Sequence, residues 1–114
     1  MHSACVFVYP RHTVIARLSE FPSPREASRA YAESNALMAK PTRVDNATIA
    51  YTLVPQSGIG ERANWFELPP AQFGYALHKS KYVFSLEMNF KDGSQDRSLS
   101  SRVRPIMQAA ARKL

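Results

Sequence analysis

The sequence predicts a single small α+β domain, built from a four- to five-stranded, mainly antiparallel sheet with two or three helices on one face. The chain has 114 residues, near the commonest size for one domain, and no repeat or linker-like tract divides residues 1–114. Strand patterns precede and follow helix patterns without regular alternation, which is typical of α+β folds. Hydrophobic residues make up 45% of the chain, enough for one buried core.

Two strands are predicted at the N-terminus. Residues 4–9 are apolar at consecutive positions, which is typical of a central strand covered on both faces. Pro10 ends this run, and residues 12–18 form a second β-rich run, so the short break between them predicts an antiparallel pair. Cys5 lies in the first run and is expected to be a buried thiol. As the one cysteine, it excludes an intramolecular disulfide and favours a reducing compartment.

The strongest local signal marks the start of a helix. Ser23 is a capping residue, Pro24 suits the first helical position, and Glu26 stands three residues after the serine. Apolar or small residues then recur at steps of three and four, which predicts an amphipathic helix as far as residue 40, where Pro41 stops it. The predicted inward stripe consists of Ala27, Ala30, Tyr31, Ser34, Leu37 and Met38.

The middle of the chain is predicted with less regular structure. Residues 47–54 read as a third strand ending at Pro55, and residues 55–70 as a long loop held down by Trp65 and Phe66. Residues 71–79 fit either a strand, because apolar residues alternate there, or a short helix opened by Pro70. We favour the helix.

The C-terminal part begins with the clearest strand. Residues 82–90 alternate between apolar and polar, which predicts a strand with one wet face; left unpaired, it could also form a homodimer by sheet extension. Residues 91–94 predict a hairpin turn, residues 97–103 a short polar return strand, and residues 105–114 a closing helix that buries Ile106, Met107, Ala110 and Leu114.

Positive charge is concentrated at the C-terminus. Residues 97–114 hold five of the fifteen Lys and Arg residues and no acid, whereas residues 1–96 hold ten bases and all nine acids. Such a region attracts phosphate polymers or acidic protein surfaces. The candidate residues for binding nucleic acid or a partner are Arg97, Arg102, Arg104, Arg112, Lys113, Lys79, Lys81, Arg62, Trp65 and Phe66.

Two short segments suggest more specific chemistry. Gly58 and Gly60 could form a backbone nest for a phosphate, with Arg62 as its charged partner, although the sequence lacks the lysine of known phosphate loops. Residues 78–82 group two lysines, an imidazole and a phenol, the side chains that a ribonuclease without metal would use. We favour a flexible loop for the first segment and a solvated turn for the second, because no further glycine is present in the one and no positioned acid-base pair can be read from the spacing of the other.

No other feature indicates a cofactor, a metal or a membrane. The three histidines match no metal-ligand spacing, so neither a metal nor another cofactor is expected. The apolar run at residues 4–9 is too short to span a membrane and lacks the flanks of a signal peptide, which predicts a cytoplasmic protein with no membrane contact. Signatures of the common RNA-binding modules are missing from the sequence.

Three functions remain open at the level of sequence. The first is a non-enzymatic protein that binds nucleic acid or a nucleic-acid-containing complex through its basic C-terminal region. The second is a stoichiometric inhibitor or adaptor of an acidic protein, with Trp65, Phe66 and Tyr75 as anchors. The third is a small metal-independent ribonuclease that uses His78, Lys79, Lys81, Tyr82 and Arg97. The sequence contains no recognisable arrangement of catalytic residues, which favours a non-enzymatic protein.

Overall fold

A computed structural model describes residues 1–68, 71–91 and 98–114, which form eight strands and two helices. Neither helix of these ranges is long and apolar enough to cross a membrane. In chain order the elements are β1 (His2–Val8), β2 (His12–Glu20), α1 (Pro24–Ala39), β3 (Thr42–Val44), β4 (Ala47–Ile49), β5 (Thr52–Gln56), β6 (Arg62–Leu68), β7 (Gln72–Lys79), β8 (Tyr82–Phe90) and α2 (Leu99–Arg112).

Six of the strands form one sheet in the order β1-β2-β8-β7-β6-β5, and every neighbouring pair is antiparallel. β3 and β4 form a separate antiparallel hairpin, in which Asp45 and Asn46 adopt the positive φ angles of a tight turn. The predicted α+β class is therefore confirmed. The main sheet is larger than the four or five strands expected.

The two helices lie on opposite faces of the sheet, so the prediction that they share one face is wrong. Asn64 donates a hydrogen bond of 2.8 Å to the Tyr31 hydroxyl of α1. The next residue, Trp65, belongs to the buried cluster that contains Val103 and Met107 of α2. Because consecutive side chains of a strand point to opposite faces, α1 covers one face and α2 the other.

Helix α1 begins as predicted. The Ser23 hydroxyl accepts a hydrogen bond of 3.2 Å from the Glu26 amide, and Pro24 occupies the first turn. Lys40 caps the other end, just before Pro41. The inward stripe is rotated from the expected one, since Leu37 is 71% exposed. Asn35 is half-buried instead.

Strand β1 is an edge strand, which corrects the prediction of a central one. It pairs antiparallel with β2 as expected, but β2 is its one neighbour in the described sheet. All seven residues of β1 are exposed, and the Cys5 thiol is exposed with them. Apolar residues at consecutive positions therefore mark a strand that neither helix covers.

The region between residues 47 and 70 is more regular than predicted. The expected strand at 47–54 is divided into β4 and β5, which belong to different sheets. The expected long loop is wrong, because residues 62–68 form β6 and the connection from β5 shortens to residues 57–61. Trp65 and Phe66 are both buried, since the two helices cover the two faces of β6. A strand buried on both faces shows no alternation, which explains the error.

Residues 72–79 form strand β7, so the helix favoured for residues 71–79 is wrong. β8 occupies residues 82–90 as predicted, but it lies between β2 and β7, and most of its residues are half-buried. It is neither an edge nor a strand with one wet face. Its backbone is paired on both sides, which excludes the dimer by sheet extension that residues 82–90 suggested.

Helix α2 begins at Leu99, where the sequence predicted a strand over residues 97–103. Pro105 therefore lies inside the helix, on its exposed side. Val103, Met107 and Ala111 are the buried residues, whereas Ile106, expected inside, is 57% exposed. Residues 92–94 of the predicted turn and Arg97 lie outside the described residues.

The close packing at Gly74 generates a first prediction. A Cβ at this position would overlap the Phe66 ring and the Leu86 carbonyl oxygen. Gly74→Ala should therefore lower the free energy of unfolding by about 2 kcal/mol or more, measured by urea denaturation. Ser3→Ala, on the exposed edge strand, is the control and should change this free energy by less than about 0.5 kcal/mol. Equal stability of the two variants would contradict the packing described.

Candidate anion-binding surface

Helix α2 presents exposed basic side chains on the side opposite to its buried residues. Arg102, Arg112 and Lys113 are exposed, and we call these three residues the basic stripe. Arg102 and Lys113 are eleven residues apart, which brings them to the same side of the helix at a separation of about 16 Å along its axis. The described chain from Ser98 to Leu114 contains no acid.

The structure separates Arg104 from the basic stripe. Its guanidinium donates to the Gln56 side-chain oxygen at 3.0 Å and to the Ser57 carbonyl oxygen. It also lies against Gly58, where a Cβ would come within 3.3 Å of the guanidinium. Arg104 therefore joins α2 to the loop after β5, and both terminal nitrogens of its guanidinium take part in this structural role.

Lys79 satisfies the C-terminal end of α2. Its ammonium donates a hydrogen bond of 2.7 Å to the Ala111 carbonyl oxygen in the last turn of the helix, which also accepts from the Leu114 amide at 3.2 Å. The contact also compensates the negative end of the helix dipole. Because Lys79 fills this role, Arg112 and Lys113 are not required for it. Neither of them has an ion pair within the described residues.

The loop of Gly58 and Gly60 lines an open cleft of about 370 Å³ together with Lys79, Gln108 and Arg112. Both glycines have positive φ angles, and a Cβ at Gly60 would lie 2.8 Å from the His78 carbonyl oxygen. The positive φ angles, and at Gly60 the close approach to β7, therefore account for the glycines.

Arg62, the predicted charged partner of this loop, is directed toward α1 instead. The Arg62 guanidinium donates to the Ser28 carbonyl oxygen and hydroxyl, both at 2.9 Å, and lies over the Tyr31 ring. The Glu61 carboxylate lines the cleft in its place and accepts from the Ser80 amide at 3.1 Å. A carboxylate at this position opposes the binding of a phosphate.

The residues of the ribonuclease hypothesis do not converge. His78 is 5% exposed; its Nε2 lies 2.8 Å from the Ser80 carbonyl oxygen and its Nδ1 lies 3.4 Å from Glu61. Lys79 follows His78 in β7 and so points to the opposite face. Lys81 forms an ion pair of 2.7 Å with Glu20, which lowers the pKa of the Glu20 carboxyl and raises that of Lys81. Arg97 lies outside the described residues.

The proposed aromatic anchors lie in the interior. Trp65, Phe66 and Tyr75 are each no more than 5% exposed. Trp65 stacks on Phe73, and the Tyr75 hydroxyl donates 2.8 Å to the Ser100 carbonyl oxygen of α2. Their burial removes all three rings from the surface that a partner can contact, so the adaptor hypothesis loses its anchors.

A second cleft, on the α1 face, was missed by sequence reasoning. It measures about 310 Å³ and lies between α1 and the central strands, where Ser19, Ala76 and Ser85 form a floor of small side chains. The Arg17 and Glu87 side chains, 3.8 Å apart, also line it. Ala76 and Ser85 are paired across β7 and β8, whereas Ser19 of β2 lies opposite Val83. Small residues in three neighbouring strands were the sequence signal, but recognising it requires a strand order that the sequence does not display.

No metal site is apparent in the part of the chain that the structure describes, since it contains no group of three or more His, Cys, Asp or Glu side chains that could hold an ion. Comparison of the chain with models of protein families, with curated proteins and with solved structures finds no match in any of the three. The function must therefore be argued from the geometry of the surface itself.

Tyr31 generates a prediction about alkaline pH. Burial raises the pKa of its phenol above the ordinary value of 10.0, and the Asn35 hydrogen bond and the Arg62 charge oppose this only in part. The contribution of Tyr31 to stability is therefore complete below pH 10 and is lost as pH rises through the raised pKa. Urea denaturation between about pH 9 and pH 11 should show a free energy of unfolding that falls with pH.

Tyr31→Phe should make that fall shallower, even if the loss of the hydrogen bond with Asn64 lowers stability at every pH. Burial also raises the pKa of Tyr51 and Tyr75, so part of the fall should remain. Tyr9→Phe, at an exposed ring, is the control and should keep the slope of the parent protein. An unchanged slope in Tyr31→Phe would show that Tyr31 ionises as readily in the folded protein as in the unfolded chain.

Proposed function

We propose that the protein binds the phosphate backbone of a nucleic acid, free or within a ribonucleoprotein complex, through the basic stripe of α2. The observation that carries the proposal is the arrangement of Arg102, Arg112 and Lys113, which are exposed on a helix without acids. The ion pairs formed by Lys81 and Arg17 show how other bases of this chain are neutralised internally. Arg112 and Lys113 are left for an external anion.

The length of the basic stripe favours a polymer. Its ends lie about 16 Å apart along the helix axis. A single phosphate cannot contact both ends, whereas a nucleic-acid backbone presents phosphates continuously over that length.

The surface between the bases favours binding without sequence recognition. Ile106 and Ala109, both exposed, lie between Arg102 and Lys113, and no aromatic ring is found in α2. Bases of single strands are usually held by stacking on aromatic side chains. A surface without them contacts phosphates and carries little sequence information.

The test is a salt series of fluorescence anisotropy measurements, with labelled single- and double-stranded oligonucleotides of about 20 nucleotides. We expect the Kd to rise steeply between about 50 and 200 mM salt. The triple variant Arg102→Gln, Arg112→Gln, Lys113→Gln should raise the Kd at least about tenfold and reduce the slope of log Kd against log salt by about two to three.

The matched control removes the same charge from the other helix and its cap. Arg25→Gln, Arg29→Gln, Lys40→Gln should leave the slope nearly unchanged, because these residues lie outside α2. A flat salt dependence, or equal loss of affinity in the two triple variants, would overturn the proposal. The proposal would also be overturned if one acidic protein, bound through the same basic stripe, were recovered from a lysate treated with nuclease.

A further inference from the structure

The two edges of the main sheet differ in how they are protected. β5 is short, contains Pro55 and lies against α1. Short edge strands with proline resist pairing with another chain. β1 has seven residues, contains no proline, lysine or acid, and leaves one side of its backbone unpaired. Of the two edges, β1 is therefore the one open to a further strand.

The hydrogen bonds with β2 determine which backbone groups of β1 are free. The Tyr9 amide donates to the His12 carbonyl oxygen, and at the other end Met1 and Glu20 exchange hydrogen bonds. Because bonded and non-bonded pairs alternate along an antiparallel ladder, the odd-numbered residues of β1 bond to β2. The N–H and C=O groups of His2, Ala4, Val6 and Val8 therefore point away from the sheet.

The side chains of β1 are suited to burial against a second strand. Val6, Phe7 and Val8 are 59%, 49% and 72% exposed, and they lie on both faces because their directions alternate. A run of exposed apolar side chains along an open edge is what other edge strands avoid. No charged side chain of β1 would face a like charge if the strand met a copy of itself.

We propose that two copies of the chain pair through β1 in antiparallel orientation about a two-fold axis, with Cys5 opposite Cys5. This register brings Ala4 opposite Val6 of the second copy and His2 opposite Val8, so all four outward-facing residues form hydrogen bonds. Centring the pair on Val6 leaves His2 unpaired, and centring it on Ala4 leaves Val8 unpaired. The dimer therefore contains one continuous sheet of twelve strands.

The position of Cys5 makes this register measurable. The odd-numbered residues of β1 point their backbone groups at β2, so Cys5 and its copy form a non-hydrogen-bonded pair, with Cα atoms about 4.5 Å apart. This distance falls within the range that a disulfide spans. The thiol thus reports the register, while the hydrogen bonds and the apolar contacts hold the dimer.

The first experiment measures mass under reducing conditions by sedimentation equilibrium, between about 1 and 200 µM protein. The average mass should rise from 12.8 kDa toward twice that value. Val6→Pro and Val6→Lys should remain at the monomer mass with an unchanged far-UV spectrum, because the Val6 amide is not used by β2. Val54→Lys, a matched change on the opposite edge, should dimerise like the parent protein.

The second experiment tests the register with diamide, which takes two electrons and two protons from a pair of thiols. The parent protein should form a disulfide-linked dimer at least about tenfold faster than Ala4→Cys or Val6→Cys in a Cys5→Ala background, because pairs at those positions are offset. A monomer at all concentrations would overturn the dimer. Faster cross-linking at position 4 or 6 would overturn the register.

Discussion

Both helices pack on the same strand, β7, from opposite faces, and the rest of the structure is arranged around that constraint. Phe73, Tyr75 and Leu77 face α2, whereas Gly74, Ala76 and His78 face α1. The large side chains on the α2 face belong to the buried core, whereas the small side chain of Ala76 lines the cleft under α1. The cleft under α1 exists because its floor is built from small side chains.

This constraint explains which elements could be predicted from the sequence and which could not. Helix α1 has one buried side and a complete cap, so its start and end could be predicted from a few residues. β6 and β7 are buried on both faces, and their apolar residues therefore show no simple period or allow two interpretations. Gly74 suggests a weakened helix, but it is required in the strand because the Phe66 ring lies where a side chain would be.

The candidate site was predictable in part, for a similar reason. The concentration of bases after residue 97 is visible in the sequence, and the exposed residues of the basic stripe are among those it suggested. The tertiary contacts of Arg104, Lys79 and Arg62 depend on residues far away in the chain. Sequence spacing cannot distinguish a base that joins two elements from one that remains for a ligand. Hydrophobicity is ambiguous in the same way at β1. Its consecutive apolar residues predicted a buried central strand, but they are exposed to solvent at the edge of the sheet.

The pairing of β2 with β8 has a consequence for how the chain folds. β5 to β8 are consecutive strands joined by short connections, whereas β2 meets β8 across 62 to 78 positions of the chain. Closing so long a loop costs more conformational entropy than forming the consecutive pairs, and contacts of this range slow folding. The hairpin of β1 and β2 joins the rest of the sheet through this pairing of β2 with β8. Its amides should therefore gain protection from hydrogen exchange last during refolding, after the two-sided core around β7 has formed.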